Sequence, residues 1–416
     1  MLPVTFRIPG DVRLLFATRV LRLVAYGSIS VVLVLYLVAA GLSESQIGLL
    51  LTLTLLGDTV ISLLITTTAD RVGRRKMLLA GAVLMVFAGL LFAATSAFVP
   101  LLIAATIGVI SPSGNEVGPF LAIEQAAVAE EVPAERRAGV FASYNLVGSF
   151  ATGLGSLGGG VVAQALSDRG LPLLASYRVV IVGYAIFGAA MAVLFTRLSP
   201  AVEPRHVPGG GERQAYLRRH LGLGPSRGNV LRLAGLFSID AFAGGFVVQA
   251  FVAYWFHRRF GVAPATLGTI FFGANLLAGL SALSATRLAR RIGLLQTMVV
   301  THLPSNVLLV LVPMMPSLPL AIAMLLARFG ISQMDVPARQ AYTMALVTPG
   351  ERSAAAGVTG IARTVGASLS PWAAGPLYAT AGLASVPFFL CGGLKIAYDI
   401  LIWWTFRRVE LPAEKE

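Results

Sequence analysis

The chain is poor in cysteine and in charge, and both shortages narrow what it can be. The chain has a single cysteine, Cys391. Because a disulfide needs two cysteines and a thiolate-bound metal cluster needs several, neither is expected within the chain. Asp, Glu, Lys and Arg together make up only 12% of the 416 residues. Soluble domains place about a quarter of their residues in these charged types. A water-soluble globular domain is therefore excluded.

Long apolar runs take the place of the missing charge. Hydrophobic residues make up 56% of the chain, and its mean hydropathy is +0.80. A helix needs about 20 apolar residues to cross a bilayer, and the charged residues fall in short turns between runs of that length. The sequence predicts an all-α membrane protein with twelve helices, near residues 14–40, 45–68, 77–97, 99–128, 137–165, 174–197, 231–256, 265–288, 293–315, 318–347, 354–379 and 384–406.

The turns at the two ends of these helices differ in their content of Lys and Arg. Most of the 32 basic residues lie at one end with both termini, whereas the opposite end holds Arg169, Arg178, Arg258 and Arg259. Since Lys and Arg are retained on the cytoplasmic side, both termini are predicted to be cytoplasmic. This bias explains most of the net charge of +13, so no nucleic-acid partner is expected.

Further absences bear on the compartment. The first residues show no cleavable signal peptide. The sequence has no Asn-x-Ser/Thr glycosylation site, and its predicted outer loops are very short. A prokaryotic inner membrane is therefore expected, with an organellar membrane as the alternative.

A charged stretch of seven residues separates the second predicted helix from the third. It reads Asp70-Arg71-Val72-Gly73-Arg74-Arg75-Lys76. It resembles the loop signature of the major facilitator superfamily, although the first glycine of that signature is replaced here by Thr66. The resemblance implies a twelve-helix transporter. Arg71, Arg74 and Arg75 are predicted to pair with Glu130 or Glu131 in a gate that opens and closes; the alternative is that they only set the topology.

The two halves of the chain repeat each other. The segment from Gly41 to Gly48 matches Gly261–Gly268, Val72-Gly73 matches Ile292-Gly293, and Pro133-Ala-Glu-Arg matches Pro349-Gly-Glu-Arg at a nearly constant spacing. The family has two such six-helix units with the binding site between them. The expected division is 1–198 for the first bundle, 199–229 for a cytoplasmic linker and 230–416 for the second bundle.

The fifth predicted helix is rich in glycine. Gly155-Ser-Leu-Gly-Gly159-Gly160 resembles a helix-five element that the family associates with antiporters, but it lacks the proline of that element. Small residues allow helices in membranes to approach closely. Gly155, Gly159 and Gly160 are therefore expected to form a packing face, which either is static or slides during transport.

Charged residues within predicted spans are costly and are candidates for function. Asp58, Glu116 and Asp240 are the candidates for proton coupling, since a desolvated carboxylate binds and releases protons near neutral pH. The alternative is that these residues form buried ion pairs that only position helices. Lys395 and Asp399 are four residues apart and are predicted to neutralise each other. The candidates for a substrate cavity are Arg19, Arg22, Arg328 and Asp335.

Two classes of function are compatible with these features. The first is a secondary transporter that exports a small organic compound in exchange for protons; its variant is a proton-coupled importer or exporter of an anionic metabolite, favoured if the arginines line the cavity. The second is a non-transporting sensor or a membrane enzyme. No nucleotide-binding loop occurs, the four histidines fall at linker or loop-like positions, and no catalytic set is found. We expect no cofactor, no bound metal and a monomer.

Overall fold

The computed structural model describes residues 9–115, 118–203, 223–348 and 351–409, without the side chains of Asp70, Ala134, Glu135, Ala138 and Ser353. Within these ranges, the regular secondary structure is entirely helical. The residues up to 203 form seven helices. They are α1 (Gly10–Ala39), α2 (Glu44–Val72), α3 (Arg74–Ala94), α4 (Phe98–Ile107), α5 (Phe120–Glu131), α6 (Ala134–Asp168) and α7 (Leu173–Thr196).

The residues from 223 onward form eight more helices. They are α8 (Arg227–Gly245), α9 (Gln249–Phe260), α10 (Pro264–Ile292), α11 (Leu294–Leu311), α12 (Leu318–Ser332), α13 (Asp335–Ala345), α14 (Arg352–Ala379) and α15 (Val386–Phe406). Below, α1–α7 are the first-half helices and α8–α15 are the second-half helices.

Ten segments of the described chain are long and apolar enough to cross a membrane. Two of the twelve predicted spans do not meet that measure. The predicted fourth span is the broken pair α4 and α5, in which α4 is only a short apolar helix. The predicted eleventh span corresponds to α14, a continuous helix of 28 residues.

Three of the predicted spans are interrupted near their middle rather than continuous. Between α4 and α5 the chain contains Gly114 and Gly118, both with positive φ, and then Pro119 at the start of α5. The α8–α9 pair is interrupted after Gly245, and the α12–α13 pair between Ser332 and Asp335. Irregular backbone at membrane depth is tolerated where it lines a cavity, so these breaks indicate where a site lies.

The two related turns of the repeat require glycine for the same reason. Gly73 between α2 and α3 has a φ of 113°, and Gly293 between α10 and α11 has a φ of 87°. A side chain is strained in this region of φ, whereas glycine is not. The match between Val72-Gly73 and Ile292-Gly293 therefore reflects one tight turn used twice.

The molecule has two different ends. The basic end carries the turn at residues 70–76 and the segment 199–203. The short-loop end carries residues 40–43, 169–172, 261–263 and 380–385.

First-half and second-half helices meet closely toward the short-loop end, where α6 packs on α10 and α2 on α14. Glycines allow this approach. A Cβ added to Gly48 would lie 2.5 Å from the carbonyl oxygen of Pro371 and 3.1 Å from Cα of Gly375. Cα of Gly268 would lie 3.1 Å from a Cβ on Gly160. Nothing larger than glycine fits these crossings without displacing a backbone.

Hydrogen bonds reinforce the same closure. Tyr254 donates its hydroxyl to Glu44 at 2.7 Å, and the amide N–H of Trp372 donates to Thr52 at 2.9 Å. Gln249 donates to Ser30 of α1 at 2.7 Å. Among the described residues, the hydrogen bonds that join the two sets of helices all lie away from the basic end. The short-loop end is therefore the closed end of this structure.

Candidate functional site

A cavity of about 570 Å³ lies between the first-half and second-half helices. This central cavity has the volume of pockets that hold small molecules. Residues of all three interrupted spans contribute to its wall, together with α1, α6, α10 and α15. The polar and charged lining residues are Arg19, Ser113, Asn115, Gln125, Asn145, Ser149, Thr152, Gln249, Asn275, Arg328, Gln333, Gln340 and Lys395.

The charge of the described wall is all of one sign. Arg19, Arg328 and Lys395 line the cavity, and no Asp or Glu is among the described lining residues. Of the four predicted cavity residues, Arg19 and Arg328 lie on this wall. The other two, Arg22 and Asp335, are not on the wall and take part in ion pairs behind it.

Arg328 differs from the other two cations of the wall. Arg19 donates to Asn145 and Lys395 donates to Asp240. Arg328, in contrast, makes no hydrogen bond to a described residue, and its guanidinium lies 5.1 Å from the ring centre of Phe329. None of the ion pairs between described residues involves it. A cation held in a membrane without a counter-charge is costly. Such a group is a natural ligand for an anion that enters the cavity.

Behind the first-half wall lies a buried ion pair. Both guanidinium N–H₂ groups of Arg22 donate to Glu124, at 2.8 and 2.7 Å, and both side chains are fully buried. Tyr144 donates its hydroxyl to the same carboxylate, and Thr18 donates at 3.3 Å. Two parallel charge-assisted bonds hold both groups in one geometry. This arrangement positions α1, α5 and α6 behind the wall.

The second-half helices contain a larger network of buried charges around Asp240. Asp240 on α8 accepts from Lys395 and, at 3.1 Å, from Arg339 on α13. Arg339 also lies 3.2 Å from Asp335 on its own helix. Asp240 is 3% exposed and is surrounded by cations, so it is fixed by its partners.

Two expectations about this network are wrong. Lys395 and Asp399 do not pair with each other, because Lys395 bonds to Asp240 while Asp399 contacts His302 at 2.7 Å and Asn306 at 3.0 Å. His302 is not in a loop but lies within α11, 6% exposed. A signal for it was present: His302 and Asn306 are four residues apart in an apolar run, as are Lys395 and Asp399, so each pair shares one helix face.

The remaining candidates for proton coupling lie elsewhere or outside the described residues. Asp58 is 7% exposed on α2 and is not on the cavity wall. Glu116 follows the lining residue Asn115 but lies outside the described residues. Asp240 is in direct contact with a lining residue, because Lys395 donates to its carboxylate.

The charged stretch at residues 70–76 contacts the first half and the start of the linker. Arg74 forms an ion pair with Glu130 at 2.9 Å, which is one of the pairings predicted for it. Glu203 accepts from the backbone N–H of Arg74 at 2.7 Å and of Arg75 at 3.2 Å. A carboxylate at the first turn of α3 is stabilised by the helix dipole. Arg71 is exposed, and the side chain of Asp70 lies outside the described residues.

The glycine face of α6 packs against two different helices. Gly155 and Gly159 contact the backbone of α1 at Val24 and Ser28, and Gly160 contacts α10 at Pro264. The first two glycines therefore lie inside the first half, and the third lies at the crossing between the two halves. Over the residues that the structure describes, no group of His, Cys, Asp and Glu has an arrangement suited to a metal ion.

Comparisons with known proteins agree on the architecture. A family model described as Major Facilitator Superfamily matches residues 15–257. An uncharacterized membrane protein of Saccharomyces cerevisiae, YJR124C, is 31% identical over 434 residues, which cover 98% of this chain and 96% of the yeast protein.

Solved structures of transporters share the fold. The nucleoside transporter NupG superimposes with a TM-score of 0.71 at 14% identity, covering 96% of this chain and 100% of its own. A D-xylose-proton symporter superimposes with a TM-score of 0.72 at 15% identity, covering 94% of this chain and 97% of its own. The human organic anion transporter MFSD10 superimposes with a TM-score of 0.65 at 19% identity, covering 95% of this chain and 100% of its own. At these identities the likeness concerns the fold.

Proposed function

Because this chain belongs to the major facilitator superfamily, we propose that it is a proton-coupled secondary transporter of a small organic anion. Transport across a membrane, without enzymatic chemistry, is what the family does. The observation that carries the charge of the substrate is the cationic wall of the central cavity, in which Arg328 forms no ion pair with a described carboxylate.

The wall favours an anion over a neutral or cationic substrate. Arg19, Arg328 and Lys395 present positive charge to a space bounded by packed, largely apolar helices of low dielectric. In such a space, electrostatic attraction is several times stronger than in water. A cationic substrate entering there would meet only like charge among the described residues. The alternative with an anionic metabolite, left open by the sequence, is therefore the better supported one.

Amide side chains suggest that the substrate also carries hydroxyl or carbonyl groups. Asn145, Gln125 and Asn275 line the cavity on the α5–α6–α10 side, and Gln249, Gln333 and Gln340 line it on the α9–α13 side. Each amide offers both a donor and an acceptor. A carboxylate or phosphate would contact the cations while its polar substituents bond to these amides. A small hydroxylated or dicarboxylic acid fits this description.

Alternating access supplies the mechanism. The short-loop end is closed by the glycine crossings of α2 with α14 and of α6 with α10, while the central cavity lies between that closure and the basic end. Rocking of the two sets of helices about the cavity would open one end as the other closes. The stretch at residues 70–76 would then act as the gate at the basic end, with Asp70, Arg71 and Arg74 changing partners.

Export of a neutral or cationic compound in exchange for protons is the second candidate. It is favoured by the glycine run of α6, which resembles the antiporter element. A sensor without transport is less well supported, because the segment between the two halves is only a linker of some 30 residues, about 199–229.

A transport assay separates these candidates. Purified chain is reconstituted in liposomes with an imposed pH gradient and tested with labelled lactate, succinate, citrate and glucuronate, with glycerol and choline as the uncharged and cationic comparisons. We expect gradient-dependent uptake of at least one acid. Accumulation of choline but of no acid would refute the anion assignment, and the sign of the effective gradient gives the direction of transport.

Arg328 offers the matched variants for this assay. Arg328→Gln should lower transport of the acid by about tenfold or more, since a charge-assisted hydrogen bond contributes about 1.5–3 kcal/mol. Arg328→Lys retains the charge and should lose less. Because Arg328 has no ion-pair partner among the described residues, neither change should lower the unfolding temperature appreciably.

The proposed orientation places the basic end in the cytoplasm. The Lys and Arg of that end would be retained inside, with both termini cytoplasmic. We propose a prokaryotic inner membrane as the host membrane and a monomer as the working unit. Impermeant thiol reagents applied to right-side-out and inverted vesicles would test the orientation, using a cysteine introduced at exposed Arg71 in a Cys391→Ser background.

A further inference from the structure

His302 lies between two buried carboxylates in the interior of the second-half helices. Its Nδ1 is 2.7 Å from Oδ1 of Asp399, and its Nε2 is 3.6 Å from Oδ1 of Asp240. Asp399 is 1% exposed and Asp240 is 3% exposed, so neither carboxylate is solvated from outside. An imidazole with an acid at each nitrogen, inside a membrane, is well placed to hold a proton.

Every neighbouring helix contributes a charged or polar group to this site. Asn306 on α11 bonds to the second oxygen of Asp399 at 3.0 Å, and the ring of Tyr398 on α15 lies edge-on to the imidazole at 5.8 Å. The other groups that face Asp240 are cations or lie next to one. They are Lys395 on α15, Arg339 and Asp335 on α13, Arg363 on α14 and Arg328 on α12.

The two ring nitrogens are in different situations. An ionised carboxylate only accepts hydrogen bonds, so the short contact to Asp399 places a proton on Nδ1. The Asn306 amide nitrogen, 3.1 Å from Nδ1, then donates to the other oxygen of Asp399 and not to the ring. In the neutral ring, Nε2 then presents a lone pair toward the carboxylate of Asp240, which is repulsive. Binding of one proton at Nε2 turns that repulsion into an ion pair. The ring is therefore held with its empty nitrogen toward Asp240.

The same oxygen of Asp240 is shared with the cavity. Lys395 and His302 both face Oδ1, whereas Arg339 bonds to Oδ2. Lys395 is also a lining residue of the central cavity. When two cations share Oδ1, Asp240 binds each of them less strongly. Protonated His302 and the ammonium of Lys395 therefore compete for one acceptor atom.

We propose that His302 is the proton-binding site of the transporter and that it acts on the substrate through Lys395. When Nε2 binds a proton from water on the open side, the imidazolium takes over Oδ1 of Asp240 and Lys395 turns toward an anion in the cavity. Release of the proton on the other side returns Lys395 to Asp240 and expels the anion. Proton and anion thus bind together, and the coupling is symport. This inference rests on the proposed function for the identity of the substrate class.

The site can be tested without knowing the substrate. A full-length chain with His206→Gln, His220→Gln and His257→Gln retains His302 as its only histidine. In detergent micelles, ¹³C- and ¹⁵N-labelled histidine reports ring protonation and tautomer as pH is varied between about 5 and 9, the range over which imidazole responds to its surroundings. We expect a reversible titration in which Nδ1 keeps its proton and Nε2 gains one.

Variants around the ring show whether the competition exists. Lys395→Met should raise the titration midpoint by about one pH unit, and Asp240→Asn should lower it by about as much, which is the effect of one nearby charge. Arg169→Met removes an exposed cation at the short-loop end and should leave the midpoint unchanged. A ring that does not titrate in this range, or one that is insensitive to Lys395→Met, would overturn the inference. If Asp240→Asn does not fold, Lys395→Met alone decides.

Transport provides the second measurement. For whichever acid is carried, wild-type uptake should rise as the pH on the entry side falls, and His302→Gln should remove this dependence while retaining exchange of the acid across the membrane. If no acid is transported, the proposed function is wrong, whereas the titration in micelles still tests proton binding at His302 independently. If acid is transported with unchanged pH dependence in His302→Gln, only the present inference fails.

Discussion

Glu124 and Arg22 illustrate what a fully buried charge pair does in this protein. Both are 0% exposed and joined by two hydrogen bonds. Glu124→Gln would leave the guanidinium without its counter-charge, and loss of one partner of a buried pair costs about 3–5 kcal/mol. We expect a large drop in the unfolding temperature, measured by fluorescence on detergent-solubilised protein. Tyr144→Phe removes one donor but leaves the carboxylate paired with Arg22, so it should cost less, about 1.5–3 kcal/mol. Equal effects of the two variants would contradict this account.

Glu351, outside the membrane-spanning helices, gives a prediction about pH. It is 6% exposed, and it accepts from the hydroxyls of Ser226 and Thr348 and from the backbone N–H of Gly224. Burial acts to raise the pKa of Glu351, but these hydrogen bonds outweigh it and lower the pKa below its usual 4.5. The ionised form therefore stabilises the fold at neutral pH, and this contribution is lost as pH falls through the lowered value.

The measurement is a comparison of unfolding temperatures with Glu351→Gln. Wild type should be more stable than the variant at pH 7, and the difference should shrink once pH falls below the ordinary value of 4.5. In a Ser226→Ala background the difference at pH 7 should already be smaller, because one of the stabilising hydrogen bonds is gone. A difference that persists unchanged at low pH would show that the carboxylate charge is not the cause.

At the scale of helices, sequence patterns predict where the membrane spans lie but not where three of them are interrupted. Apolar runs bounded by charge gave the bundle and its repeat, because length and hydropathy are properties of each segment alone. The breaks after Ile107, Gly245 and Ser332 depend on where a cavity forms. That is a property of the packed bundle. For the same reason the sequence predicts Arg22 in the cavity and His302 in a loop, whereas Arg22 lies behind the cavity wall and His302 lies within α11. Helix rotation and the choice of partner are set by neighbouring helices.

The glycine crossings lead to a prediction about which end is closed. Gly48→Ala places a Cβ against the backbone of Pro371 and Gly375 and should prevent full closure of the short-loop end. Gly393→Ala, at a position with open space around it, is the matched control. In a Cys391→Ser, Val252→Cys background, we expect faster labelling from the short-loop side in Gly48→Ala than in wild type or the control. Unchanged labelling would show that this crossing does not limit closure.

At the scale of the whole molecule, the two sets of helices enclose a cavity whose described wall carries positive charge and no negative charge. Arg19, Arg328 and Lys395 face it, while the described acids Glu124, Asp240 and Asp335 lie behind it in ion pairs. Each half thus keeps these acids in ion pairs and presents cations to the space between the halves. An anion that enters would complete the charge balance and draw the two halves together, which is how binding could favour the change of access.

That account predicts how access to the cavity changes during transport. Gln125 and Gln340 line the cavity on opposite halves. In a Cys391→Ser background, Gln125→Cys and Gln340→Cys should each react with an impermeant thiol reagent applied at the basic end. Ala127→Cys, buried on the same helix as Gln125, is the control and should not react. Addition of a transported acid at saturating concentration should slow both reactions, because the acid both occupies the cavity and shifts the population away from the state that is open at the basic end. If the two cysteines react only from the short-loop end, the basic end is not the open end. If the acid protects one cysteine and leaves the other unaffected, the acid binds to one half and does not bring the halves together.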